Sequence, residues 1–156
     1  MRHLIPTLCI LATSTVAMAL SSAERQVLLE SIRPEASRQA GQAVRFRVEQ
    51  LNHAGNWAVI VGGLMAAEGK TLDWNKAAQC DPDLDKMLWV VAKKTQRRWQ
   101  VEEMYICSPE PPYWYIKPKV AFARPCQLYA GLQLDGRHTV EQQCQQYQSR
   151  RLRQAK

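Results

Sequence analysis

AVRFRVEQLNHAGNWAVIVGGLM, residues 43–65, alternates in its first half and stops alternating in its second. Val44, Phe46 and Val48 fall on one side and Arg45, Arg47 and Glu49 on the other, the period-two pattern of a half-buried strand over 43–51. Asn52-His53-Ala54-Gly55-Asn56 supplies turn chemistry, and Trp57 to Val61 resumes in apolar, β-favouring residues. The two runs predict a β-hairpin. Gly62-Gly63 is read as a bulge or a close approach of another element, before Leu64 and Met65 complete the strand.

A second stretch, MLWVVAKKTQRRWQVEEMYI at 87–106, repeats the plan. Met87 to Ala92 and Trp99 to Ile106 flank the polar turn Lys93-Lys94-Thr95-Gln96-Arg97-Arg98. Met87, Trp89 and Val91 share a face, and Trp99, Val101 and Tyr105 are read as sharing one too. Upstream, Val27, Leu28, Leu29 and Ile32 make one apolar side of a short helix over 24–32. Pro34 either ends that helix at Arg33 or opens a second turn, and Gly41 stops it. Between the hairpins, residues 66–85 read as an irregular loop. Ser108 to Pro112 holds three prolines and is non-helical, and Tyr113-Trp114-Tyr115-Ile116 with Pro118 and Pro125 forms a looped excursion lying back on the domain. The Gln-rich run Thr139 to Arg151 reads as a helix, with Arg150, Arg151 and Arg153 near its negative end. The expected architecture is α+β: an N-terminal helix packed on a four-stranded antiparallel meander, with a C-terminal helix. The organisation expected is one domain over 24–130 and a helical extension over 131–156.

Arg2 and His3, the apolar run Leu4 to Val16 and Ala17-Met18-Ala19 read as a signal peptide over 1–19, or to 23 if Ser21-Ser22-Ala23 is the cleavage site. The run is too short for a permanent membrane-spanning helix. The expected location is therefore periplasmic or secreted, with no transmembrane segment in the mature chain. Cys9 would leave with the leader, and Cys80, Cys107, Cys126 and Cys144 would remain. In an oxidising compartment four cysteines imply two disulfides, with three pairings available. Cys80 with Cys107 and Cys126 with Cys144 is the favoured one, because the first brackets the second hairpin and the second ties the C-terminal helix to the segment before it. Zinc is disfavoured, since no two cysteines have C-x-x-C spacing.

The chain carries a net charge of +7, one less after loss of Arg2. An exported basic protein points to an envelope protein or an anionic envelope polymer as partner, and away from nucleic acid. No cofactor signature is legible. There is no G-x-S-x-G, and His53 and His138 lie far apart. Glu102 and Glu103 on a strand point to opposite faces. Asp81-x-Asp83-x-Asp85 begins like a calcium loop, but Lys86 stands where the Gly should be and Ala92 where the Glu should be. No catalytic residue is assigned. The candidate interaction residues are Lys93, Lys94, Arg97 and Arg98 at the hairpin tip, with Trp74 and Trp114 in loops. The expected function is a non-enzymatic binding or interaction protein of the inhibitor, immunity or envelope-accessory type. The alternative is a small hydrolase or small-ligand domain on the concave face of the sheet, with His53 or Glu103 as base. That alternative requires the space between helix and sheet not to be closed by Phe46, Trp57, Trp89 and Val101.

RQVLLESIRPEASRQAGQAVRFRVEQLNHAGNWAVIVGGL, RRWQVEEMYI, and Trp114 with Pro125 and Leu128 resemble small exported bacterial proteins of uncharacterised function. These combine a helix with a hairpin centred on a Gly-x-Trp-Ala turn, here Gly55-Asn56-Trp57-Ala58. The resemblance implies a fold and carries no activity; it runs to about Ala130, and the segment from Gly131 onward departs from it. A helix across a curved antiparallel sheet is also similar to cystatin-like and NTF2-like domains, an analogy of fold alone.

Overall fold

The alternating residues form β1 (Val44–Ala54), which pairs through a two-residue turn with β2 (Trp57–Ala66). Gly55, at the first central position, has φ +60°, a conformation a II′ hairpin turn reserves for glycine. β3 (Met87–Thr95) and β4 (Arg98–Ser108) form the second hairpin, and the four strands lie in sequence order as an antiparallel meander. The computed structural model describes residues 20–155, so the segment read as a signal peptide, 1–19, lies outside the described residues.

α1 (Ser22–Ala40) precedes the sheet as one continuous helix. Ser21 and Glu24 make a reciprocal capping box at its start, and Gly41 closes it in the left-handed region with its N–H on Arg38 O. Gly41 has a second reason to be glycine: a Cβ there would stand 2.3 Å from Lys76 O. Pro34 neither ends nor restarts the helix. It sits on the exposed side, where the carbonyl that loses its partner can be hydrated. Leu28, Ile32, Ala36 and Ala40 form the buried seam, one turn apart, whereas Val27 is 55% exposed. That seam packs on Ile60, Leu88 and Val90, all buried, with Phe46, Val101 and Met104 closing the sides.

The sheet has a second covered face. Val59, Val61, Trp89 and Val91 point away from α1 into a layer built from residues past β4: Phe122, Leu128, Tyr129, Leu132, Val140 and Cys144. This layer contains the short α2 (Pro118–Ala121), a 3-10 turn at Cys126–Tyr129 and α3 (Val140–Gln154), which a Thr139–Gln142 capping box opens. Gln50 and Asn52 of β1 donate side-chain hydrogen bonds to Ala130 O at 2.5 and 2.8 Å, and Asn52 also to Leu128 O at 2.9 Å. Disulfides join Cys80 to Cys107 and Cys126 to Cys144. Each would contribute roughly 3 to 4 kcal/mol from loop closure if unstrained.

One bulge corrects the expected side-chain faces. In β4, Val91 pairs with Glu103 but Ala92 with Val101, so Glu102 is the extra residue and parity inverts there. Trp99 and Val101 face α1, as do Met104 and Ile106, while Tyr105 pairs with Trp89 on the opposite face. Trp99, Val101 and Tyr105 therefore do not share a face. In β1 a bulge falls at Glu49, opposite Gly62, where a Cβ would meet Arg47 O at 2.0 Å.

Candidate functional site

The space between α1 and the sheet is filled, but not by the four residues expected. Phe46 and Val101 help to close it, whereas Trp57 and Trp89 lie on the other face. His53 stands edge-on to Trp99, ring centroids 6.1 Å apart, on the α1 side, and Glu103 is on the opposite side. The two candidate bases cannot act on one substrate.

Glu103 instead meets a residue that the sequence reading did not single out. Arg124, 6% exposed, places Nη2 2.6 Å from Glu103 Oε1, with its guanidinium 5.0 Å from the Trp57 ring centroid. Burial works against this cation. The hydrogen bond and charge of Glu103, with a smaller share from Tyr129, outweigh it and hold the guanidinium above its ordinary value. Gln148 of α3 donates to the carbonyls of Phe122 and Arg124 at 2.9 and 3.1 Å, and Tyr129 Oη donates to Ala121 O at 2.9 Å. The loop carrying Arg124 is thus held from three sides. A charge so enclosed needs its partner, since removing one member of a buried pair costs several kcal/mol.

Beside this pair a cleft of about 390 Å³ opens between β4 and the segment 108–121. Trp89, 1% exposed, is part of its lining, and its Nε1 has no hydrogen-bond partner. Tyr105, Tyr115 and Val120 line it while remaining 52%, 69% and 56% exposed. Tyr115 Oη donates to the Glu110 carboxylate, which holds the phenol above its usual range. The lining is aromatic and aliphatic, with Glu103 and Lys117 as its charges. A second cleft, about 570 Å³, lies on the other side of β4, between Arg38 and Gln39 of α1, residues 78–80 and residues 104–109 of the strand and its end. Both clefts include Tyr105 and Ser108.

The strand between them is an edge strand. Among the described residues, no backbone-to-backbone hydrogen bond made outside the helices and strands involves residues 98–108. The opposite edge, β1, carries Arg45, Arg47 and the bulged Glu49, the charges and irregularity with which edge strands deter pairing. On β4 the run Met104-Tyr105-Ile106-Cys107 has no charge and no proline.

The residues expected at the hairpin tip separate. Lys93 lies in β3 with Nζ 5.0 Å from the Trp57 ring centroid, and Lys94 stacks on Trp99 at 5.6 Å and reaches Glu24 at 3.7 Å. Only Arg97 and Arg98 stand at the tip, exposed. Trp74 packs against the first core with Lys86 5.5 Å from its ring centroid, and Trp114, 47% exposed, donates Nε1–H to Gln133 O at 3.2 Å. Neither lines the two clefts flanking β4. Among the described residues no group of three or more His, Cys, Asp or Glu is placed to hold a metal, and no helix is long and apolar enough to cross a membrane. Two disulfides are compatible with an extracellular location. Arg124 did leave one signal in the sequence, a lone charge inside the otherwise apolar run Ala121-Phe122-Ala123-Arg124-Pro125-Cys126. Comparison with protein-family models, curated proteins and solved structures finds no match for this chain.

Proposed function

We propose that this chain is a non-enzymatic interaction protein of the cell envelope or the extracellular space, and that it holds an extended segment of a partner protein along the edge of β4. The observation that carries this reading is that clefts of about 570 and 390 Å³ flank one uncharged edge segment and share Tyr105 and Ser108. An added strand sends successive side chains to opposite faces of the sheet, so its backbone would pair with β4 while alternate side chains enter the two clefts. The bulges at Glu102 and opposite Leu88 bound the regular stretch Glu103–Ile106, which limits the added strand to about four residues. Glu103, already held by Arg124, keeps its second carboxylate oxygen for a donor on the partner. The disulfides and the signal-like amino terminus support export.

The test is selection from a random peptide library against the oxidised protein, followed by backbone amide shift mapping of the best peptide. Expected are peptides with an apolar or aromatic residue at alternate positions, shifts concentrated in Glu103–Ser108, and loss of binding in Tyr105→Lys. Peptides mapping elsewhere, binding that survives Tyr105→Lys, or no enrichment would each overturn the reading.

A further inference from the structure

Among the described residues four arginines face carboxylates: Arg33 meets Glu30, Arg38 meets Glu35, Arg47 meets Glu49 and Arg124 meets Glu103. Of the arginines that do not, Arg137, Arg150 and Arg153 are gathered in one place. Together with His138, Gln142, Gln146 and Ser149 they line a groove of about 550 Å³ along the outer side of α3, and no carboxylate and no Phe, Tyr or Trp lines it. Asp135, at its margin, is already engaged: it accepts the N–H groups of Arg137 and His138 at 2.7 and 2.8 Å and faces His138 Nδ1 at 3.2 Å. Those donors hold its carboxyl below the usual range, the backbone N–H of Arg137 foremost. A smaller hollow adjoining the first shares His138, Gln142, Gln146 and Arg150, which lengthens the groove. From Gln142 to Arg153 the helix runs roughly 16 Å.

The helix dipole accounts for cations in the last turn but not for Arg137, which stands before the first turn, where a positive charge is disfavoured. What gathers these groups is common to neither end of the helix. We infer that this groove binds an acidic polysaccharide, with guanidinium groups pairing carboxylates or sulfates and Gln and Ser side chains bonding sugar hydroxyls. The linear array of donors fits a polyanion better than a lone ion. With no Phe, Tyr or Trp in the lining and His138, which faces Asp135, as its one ring, the groove lacks the series of stacking platforms that single-stranded nucleic acid uses. Leu134, in the adjoining hollow, is the one apolar side chain along the groove, too little to enter a lipid surface. The site is separate from the β4 edge and does not rest on the strand-addition reading.

The test measures binding of the full oxidised chain to polygalacturonate, heparin, neutral dextran, a single-stranded DNA oligonucleotide and phosphatidylglycerol vesicles. The variant Arg137→Gln/Arg150→Gln/Arg153→Gln is compared with Arg45→Gln/Arg97→Gln/Arg98→Gln, which removes the same charge elsewhere. Expected are salt-sensitive binding to polygalacturonate and heparin, none to dextran, and a loss of about tenfold or more in the first variant only. Equal losses in both variants would mean that net charge alone is read, and would overturn the site. Tighter binding to DNA or vesicles than to either polysaccharide, or no binding to the acidic polysaccharides, would overturn it as well.

Discussion

Gln96 and Arg97 turn the second hairpin with φ of +49° and +68°, the left-handed region at both central positions. A two-residue turn with both central φ positive is the I′ type, which suits the strand twist and favours Asn-Gly. Side chains bearing a Cβ pay about 1 kcal/mol or more to stand there, so the turn is held by its strands and not by its own residues. The expected outcome of Gln96→Asn/Arg97→Gly is a gain of about 1 to 2 kcal/mol, read from the urea midpoint at unchanged slope. No gain would show that the turn is relaxed. The same positions explain why the sequence predicts a wider turn, Lys93 to Arg98: without Gly or Asn there, it offers no local mark of a two-residue loop, and Lys93 and Lys94 are strand.

At the scale of elements, period two marks β1 and β4 and continuous apolar runs mark β2 and β3, and the period fails wherever a bulge adds a residue. Nothing in Val101-Glu102-Glu103 announces the inversion that sends Tyr105 to the face opposite Val101. The covered second face had a legible sign, since Trp57 to Val61 and Met87 to Ala92 are apolar without alternation, the composition of strands buried on both sides. The Glu103–Arg124 pair was not legible, because the partners come from separate elements 21 residues apart. Helix α1 shows the opposite case, where local sequence decides. Glu35, bonded first by Arg38 and then by Gln39, has its carboxyl drawn down from 4.5 to about 2. A carboxylate with a depressed folded-state value stabilises the protein above its unfolded value and loses that contribution as pH falls from about 4.5 through about 2. With its side chain a third exposed, solvent screening keeps this below about 1 kcal/mol. Glu35→Gln is expected to be less stable than the parent at pH 7 by that margin and indistinguishable from it at pH 2. Urea unfolding at pH 7, 4 and 2 checks this, and a difference persisting at pH 2 would assign the effect to packing.

The whole molecule is a sheet between two unequal layers. On one side α1 covers it with nineteen helical residues; on the other, short turns and α3 are drawn together across irregular chain. The second layer holds few long-range backbone bonds of its own, and its fixed points are the Cys126–Cys144 bridge, the Gln50 and Asn52 side chains on β1, and the Gln148 clasp. Cys144 is fully buried, so the bridge also fills core space beside Val140 and Leu128. Removing it as Cys126→Ala/Cys144→Ala should therefore cost more than loop closure alone, about 3 to 5 kcal/mol. Much of that cost should appear as local opening. Amides of α3 and of the turn at 126–129 would exchange far faster, while those of β2 and β3 facing α1 would keep most of their protection. Cys80→Ala/Cys107→Ala should instead loosen residues 78–80 and the larger cleft beside β4, leaving α3 protected. Hydrogen exchange on the two double variants separates these outcomes. Uniform acceleration across both layers in the first variant would mean that the sheet and its two covers unfold as one unit, and that the second layer cannot open alone.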